Sequence, residues 1–364
     1  MGSTINLFKG KTLSGISLDH VLLSDGAPLR LKDEDLERLK VLFLAKHALA
    51  GGAFDSNDGS HATYHDEIRG CLEKLNIQLE ISNTYEVLFQ PIEHNFIFTL
   101  FNRGGFRNSE ILASCLSEYH SVPYLGAPPS MRGFGDDKHL TKMMYQNLDI
   151  ATPQWQIYRT CDHSAPRPSF EAERYVIKPN NSSASWGIDH GTDWDALRPV
   201  VQKLLRDNHD VIVEEYVPGV DVTVPCIGAG KPWILYPMLN PASDDINIVT
   251  YAQKRGFEQG SSIELMEDHG KFPELIDHTK RVNEFIWPYD YGRFDYRIEP
   301  NGKVWALEFN LSCNLGSQRA ICQSAKALGY SQQDIVESVL ANSLERQRTV
   351  FEKICRGEHL RWEM

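Results

Sequence analysis

No apolar run in this sequence approaches the roughly 18 residues that a membrane-crossing helix needs, and the opening MGSTINLFKG lacks the apolar core of a secretion signal. The chain therefore reads as soluble. A disulfide framework and a zinc-binding spacing are missing too, since its 7 cysteines are odd in number and scattered. The reducing cytoplasm is the expected compartment. Met-Gly-Ser-Thr meets the first positions of a myristoylation signal, but Asn6 stands where Ser or Thr is required. Positive charge is also short. The 37 Lys and Arg against 49 Asp and Glu leave a net charge of −12, which argues against nucleic acid as the main partner. That total leaves open the charge inside a cleft. Internal repeats and low-complexity tracts are absent.

At 364 residues the chain is too long for one hydrophobic core, so two or three domains are expected. Residues 1–40 are polar and turn-rich, end in the short charged helix LKDEDLERLK, and read as an extension. VLFLAKHA (41–48) is the first buried strand; Gly51-Gly52, a long polar loop and a helix over 62–76 follow. IQLEIS, VLFQ and FIFTLF supply short strands, and this strand–helix alternation predicts a mainly parallel sheet. SEILASCLSEYH (109–120) is an amphipathic helix, and the Pro- and Gly-rich SVPYLGAPPS after it suits a domain boundary. DDKHLTKMMYQNL is helical. Strands RYVIKP (174–179) and DVIVEEYV (210–217) bracket a helix near 193–207. Residues 219–310 read as β-rich and the tail 331–364 as helical.

One stretch resists a purely structural reading. In FDYRIEPNGKVWALEFN (294–310) two apolar-rich runs flank Asn301-Gly302, a strong hairpin signal. With those two residues as the loop, Ile298 faces Trp305, Tyr296 faces Leu307, Asp295 faces Glu308 and Arg293 faces Asn310. Side chains alternate, so Phe294, Tyr296, Ile298, Trp305, Leu307 and Phe309 make a core face. Arg293, Asp295, Arg297, Glu308 and Asn310 make the other. Opposed residues lie about 4.5–5.5 Å apart at Cβ, and like charges there destabilise the pair. A positive group should sit between Asp295 and Glu308, and a hard divalent cation such as Mg²⁺ suits it. The competing reading is an exposed face laced by Arg293 and Arg297.

Other segments carry weaker signals. Lys178 ends a strand and leads into NNSSASWG (180–187), a small-residue loop able to close over phosphates, or a plain surface loop. Glu214 and Glu215 interrupt an apolar strand, either as an exposed edge or as a reader of adenine and ribose. Lys138 and Lys142 share one helix face, solvated or aimed at phosphate. Lys254 and Arg255 lie in TYAQKRGFEQGSS, a long glycine-flanked loop able to close over a ligand.

The order of these segments is more specific than any one of them. A helix lysine, a strand-end lysine with a small-residue loop, a glutamate-ended strand and an acid–acid–amide hairpin resemble the ATP-grasp superfamily. Within it they resemble the D-alanine–D-alanine ligase branch, over about residues 41–345. VPYLGAPPSMRGFGDDKHLTK resembles the segment joining that family's first two domains. VIKPNNSSASWG keeps its spacing from lysine to glycine, and GRFDYRIEPNGKVWALEFN resembles its metal hairpin. The resemblance implies an α/β chain, α+β in its C-terminal part, with a three-domain ATP-grasp fold. The extension would span 1–40, an N-terminal α/β domain 41–134, a central subdomain 135–218 and a C-terminal domain 219–364. The nucleotide would lie between the last two. The resemblance further implies Lys138, Lys178 and Ser185 on the phosphates of ATP, Glu214, Glu215, Tyr216 and Val217 around adenine, and Asp221 at the ribose. Lys254 would cover the γ-phosphate. Asp295, Glu308 and Asn310 would hold two Mg²⁺, with Mn²⁺ as a substitute, and Arg293 would face the oxyanion of a tetrahedral intermediate. The implied partners are a small carboxylic acid, an amine or amino acid, and a second copy in a homodimer, with no nucleic acid or membrane.

The sequence departs from that family at three places. The family follows its metal asparagine with Pro-Gly, whose glycine N–H helps to hold the oxyanion; here Cys313-Asn314 stand there, and Asn314 N–H is the expected donor. Arg319 falls where the family uses a hydroxyl to hold the carboxylate of the second amino acid. A guanidinium can pair with that carboxylate, or else form an ion pair with Glu308 or Glu118. The family's glutamate after paired glycines, which holds the first amino group, is replaced by His61, Tyr64, His65 and Asp66. His65 is the candidate substrate contact, or simply a helix-start residue. In the lid, Ala184 stands where the family often has serine. The implied chemistry is ADP-forming: a carboxylate becomes an acyl phosphate, and an amine displaces phosphate to make an amide or peptide bond. The altered segments point first to a ligase for a non-standard acid, in specialised-metabolite biosynthesis. The alternatives are the D-alanine–D-alanine ligase of peptidoglycan synthesis and a nucleotide-binding protein without turnover.

Overall fold

The computed structural model describes residues 26–101, 109–182, 185–228, 232–241, 246, 248, 250–258, 263–267 and 269–358. Residues 1–25 of the extension, 183–184 of the small-residue loop and 259–262 of the Lys254 loop are expectations that lie outside the described residues.

Val41, Leu42, Phe43 and Leu44 form an unbroken apolar run, which suits a strand buried on both faces. They lie in the strand Lys40–Leu44, the centre of a three-stranded parallel sheet between Gln78–Ser82 and Phe96–Thr99. Alternate residues enter two cores. Val41 and Phe43 meet the helix His61–Glu73 and the C-terminal helix Gln332–Arg346, through Ile68, Leu72, Val339 and Leu340. Leu42 and Leu44 meet Ile97, Ala113 and Tyr124. The strand stops at Leu44 rather than running to Ala48. VLFQ is not a strand: Tyr85–Phe89 is a 3₁₀ turn capped by the Thr84 hydroxyl, which buries Leu88.

The second sheet is antiparallel, in the order Trp155–Tyr158, Val211–Glu215, Tyr175–Pro179, Asp189–Gly191. The helix Trp194–Arg206 covers one face through Leu197, Val201 and Leu204. The third sheet centres on Val220–Ile227, Tyr291–Ile298 and Val304–Asn310, with short strands Trp233–Ile234, Met238–Leu239 and Glu264–Leu265 along its edge. The β-rich reading of 219–310 missed the 15-residue helix Phe272–Ile286. Pro273 in its first turn and the spacing Phe272, Ile276, Thr279, Val282, Ile286 were the available signal. Its apolar side packs under Phe294 and Tyr296. Among the described residues no helix is long and apolar enough to cross a membrane.

Candidate active site

In the hairpin Tyr291–Ile298 and Val304–Asn310, Arg293 lies opposite Asn310 and Asp295 opposite Glu308. This is the register expected from the turn, but the chain reaches it by two offsets that cancel. The loop holds three residues rather than two: Glu299 N–H donates to Lys303 O, Gly302 N–H to Glu299 O, and Gly302 takes φ +86°. Close to the turn, Ile298 therefore faces Val304 and Tyr296 faces Ala306. A bulge then leaves Leu307 unmatched and restores the pairing below it. The core face is accordingly Phe294, Tyr296, Ile298, Val304, Ala306 and Phe309. Trp305 and Leu307, expected there, are half-buried outside it; Leu307 joins Glu308 on the wall of the cleft.

The opposed carboxylates are served unequally. Asp295 accepts Thr223 Oγ1 at 2.8 Å and Asn310 Nδ2 at 3.2 Å, with Arg293 Nε 3.2 Å away. Burial lifts its carboxyl above the ordinary value; Arg293 opposes the rise and Glu308 adds to it. Glu308 is only half-buried, and Lys138, 3.6 Å away, with Lys254, Lys178 and Arg293 outweighs burial and holds its carboxyl at about 2. The two carboxylates on this wall, with the Asn310 amide behind Asp295, are hard oxygen donors, and that chemistry fits Mg²⁺.

The facing wall comes from the second sheet. Alternation sends Tyr175 and Ile177 into the core and turns Lys178 to the cleft. Lys178 Nζ donates to Glu214 at 2.8 Å, and Lys142 Nζ lies 3.6 Å from the same carboxylate. Burial pulls the Lys142 ammonium down to about 8. Burial acts on Lys178 in the same sense, but Glu214 outweighs it and holds that ammonium above its ordinary value. Glu215 accepts Gln154 N–H at 2.8 Å. Arg297 ties the following segment together, donating to Val217 O, to Asp221 at 2.6 Å and to Ile246 O at 2.8 Å.

These walls enclose a cavity of about 120 Å³ lined by Lys138, Lys178, Ser185, Lys254, Arg293, Asp295 and Glu308, and by Glu214 to Val217 with Asp221. Four expected residues are not among its lining. Asn310 sits behind Asp295. Asn314 turns its amide oxygen onto Gly316 N–H at 2.7 Å. His65 is buried in the helix His61–Glu73, with Nδ1 accepting His47 N–H and its ring stacked on His47. Arg319 donates to Ser60 Oγ at 3.3 Å and Lys254 O at 3.1 Å, and among the described residues no carboxylate ion-pairs with it. The alternative partners Glu308 and Glu118 are engaged by Lys138 and Tyr124.

Sequence reasoning passed over Thr223, Lys142 as the partner of Glu214, and Arg297 as the clamp on Asp221. The signal lay in DVTV, whose polar residues 221 and 223 alternate like a strand face; in register, Thr223 pairs with Asp295 and Asp221 with Arg297.

Residues 144–341, more than half of the chain, match the family model described as D-ala D-ala ligase C-terminus. A D-alanine–D-alanine ligase of a Marinomonas species is 25% identical over 268 residues, 71% of this chain and 81% of that protein. D-alanine–D-alanine ligase B of Pseudomonas putida is 27% identical over 267 residues, 70% of this chain and 78% of that one. Among solved structures, the D-alanine–D-alanine ligase of Bacillus anthracis complexed with ATP superposes with a TM-score of 0.66 at 17% identity, covering 85% of this chain and 99% of that one. D-alanyl-alanine synthetase A of Vibrio cholerae gives 0.64 at 15%, with the same coverage. The chain has the ATP-grasp fold and belongs to the D-alanine–D-alanine ligase family of ATP-dependent, ADP-forming carboxylate–amine ligases.

Proposed function

We propose that this ligase joins the carboxylate of one amino acid to the amine of a second, with D-alanine–D-alanine ligation as the reading its relatives support best. They favour it over the specialised ligation that the altered segments suggested. The observation that carries the proposal is the cleft itself: Asp295 and Glu308 opposed on one wall, with Lys138, Lys178, Lys254 and Arg293 around them. Phosphoryl transfer asks chiefly for positioning and positive charge. ATP would bind with adenine along Glu214 to Val217, its ribose at Asp221 and its phosphates against Lys138, Lys178 and Lys254. Asp295, Glu308 and Asn310 would hold two Mg²⁺, and bound Mg²⁺ supplies charge neutralisation to the phosphates. The donor carboxylate attacks the γ-phosphorus and ADP departs. The amine then attacks the acyl phosphate, Arg293 and Asn314 N–H face the oxyanion, and phosphate leaves. A closed cleft protects the acyl phosphate from water. All seven cysteines are free, in keeping with work in the reducing cytoplasm.

A second reading, a different acid as donor, has one observation in its favour. Glu67, whose charge acts on Arg319, is already engaged by Ser317 and Gln332, and Asp58, near Arg255, by Lys46 and His47. A substrate ammonium would have to share either carboxylate with those donors. ADP release with D-alanine alone, then with paired acids and amines, each product weighed by mass spectrometry, decides between the two. D-alanyl-D-alanine as the preferred product supports the first reading, and preference for a donor without an α-amino group supports the second.

A further inference from the structure

Residues 52–60 form a tight hairpin of their own. Asp55 and Gly59 exchange backbone hydrogen bonds of 3.1 and 2.8 Å, and Asp55 Oδ1 accepts the N–H groups of Asn57 and Asp58. This hairpin lies on the helix Tyr251–Arg255, whose Lys254 reaches the cleft. Ser60 N–H donates to Arg255 O at 3.0 Å. A Cβ on Gly59 would stand 2.1 Å from the same carbonyl, and Gly59 has φ +60°, so only glycine permits the approach. The Asp58 carboxylate, which also accepts Lys46 and His47, lies 3.7 Å from Arg255 Nη1. Phe54 meets Phe257 edge to face at 5.6 Å. Arg319 completes the contact by bonding Ser60 and Lys254 O together.

We propose that Asp58, with Gly59 and Ser60, is a positioning element for the ligase reaction: it clamps the Tyr251–Arg255 helix from the first domain and so fixes Lys254 in the phosphate cleft. The inference rests on the reading that Lys254 meets the γ-phosphate. The clamp touches backbone and Arg255 on the far side of that helix, so it acts through Lys254 and not on the nucleotide. Its signature is therefore selective for the γ-phosphate. A role in stability alone would affect ADP and ATP alike.

The test compares ADP with a β,γ-imido ATP analogue, both with Mg²⁺, binding to the full-length chain and its variants by calorimetry. In Asp58→Asn and Gly59→Ala we expect ADP affinity within about twofold of the parent and analogue affinity about 10–100-fold weaker, the loss of one charge-assisted bond to phosphate. Phe54→Ala, which removes only an exposed ring, should show the same pattern more weakly. Turnover should release more ADP than amide, because an unclamped cleft admits water to the acyl phosphate. Equal losses on both nucleotides in all three variants, or unchanged analogue binding, would overturn the assignment. If no acid and amine are joined while the analogue-specific loss persists, the ligase reading fails and the clamp stands.

Discussion

The acidic hairpin at 291–310 and the small hairpin at 52–60 reach the same cleft by different means. The first is mainly a local structure: its turn, its alternation and the Asp295–Glu308 pairing lie within twenty residues, and Thr223 and Lys138 complete it from outside. The second makes its decisive contacts with Arg255 and Arg319, roughly 200 to 260 residues away. Its own sequence, AFDSNDGSH, announces only a polar loop. The difference separates chemistry that a strand register can fix from geometry that only tertiary packing can supply.

The largest expected effect breaks the first region. Glu308→Gln should cut ADP formation by about 10³-fold, or about 4 kcal/mol in the barrier, while the far-UV spectrum stays unchanged. The unequal environments sharpen this point. Cations already hold Glu308 ionised, so its removal should not stabilise the Mg²⁺-free protein; Asp295→Asn, which relieves the carboxyl raised by burial, should raise Tm under the same conditions. Near wild-type turnover of Glu308→Gln at millimolar Mg²⁺ would end the metal reading.

The next largest tests the wall opposite. Glu214→Ala would leave Lys142 and Lys178 buried without their shared carboxylate. Removing one partner from a buried ion pair costs about 3–5 kcal/mol, so urea denaturation should show a loss of that order. A loss under 1 kcal/mol would mean that water or relaxation replaces the carboxylate easily.

Arg319→Ala moves to the long-range region. A guanidinium–carboxylate pair is worth about 1.5–3 kcal/mol, so the KM of a carboxylate-bearing amine should rise about 10–100-fold. An amine lacking a carboxylate should be unaffected. Because Arg319 also holds Ser60 and Lys254 O, the KM of ATP should rise in parallel; an unchanged KM of ATP would take Arg319 out of the clamp.

The smallest effect is pH-dependent. Burial first, then the charges of His61 and His47, depress the His65 imidazole from 6.5 to about 3. The unfolded chain therefore takes up a proton before the folded one as pH falls. That stability is lost as pH falls through 6.5, by about 1 kcal/mol between 6.5 and 5.5 and by about 1.4 kcal/mol per pH unit below that, towards the folded value. His65→Gln should flatten that part of the profile. An unchanged slope would place the protonation elsewhere.

Legibility followed the same division. The parallel sheet around Lys40–Leu44 and the strand ending at Lys178 were readable because burial on both faces, or one lysine at a strand end, leaves a mark in the local pattern. The Asp295–Glu308 pairing was readable for a less secure reason: a three-residue loop and a bulge at Leu307 each shift the register by one, and the shifts cancel. Trp305 and Leu307 lie between the two offsets, which is why they were placed on the wrong face. Helical spacing leaves Lys142 either solvated or aimed at phosphate, because nothing in sequence brings Glu214 to it. Arg255 showed only as part of a loop able to close over a ligand, and its pairing with Asp58 had no signal, since an ion pair that spans 197 residues of sequence has no periodicity.

An amide-forming cleft spends one ATP for each acid–amine pair that it joins. The most direct measurement follows ADP and product together with Mg²⁺, D-alanine and a panel of other acids and amines. The account predicts ADP release that requires both an acid and an amine, equimolar with an amide seen by mass spectrometry, and absent in Glu308→Gln. ADP release that ignores the amine, or none with any pair while ATP still binds, would contradict it.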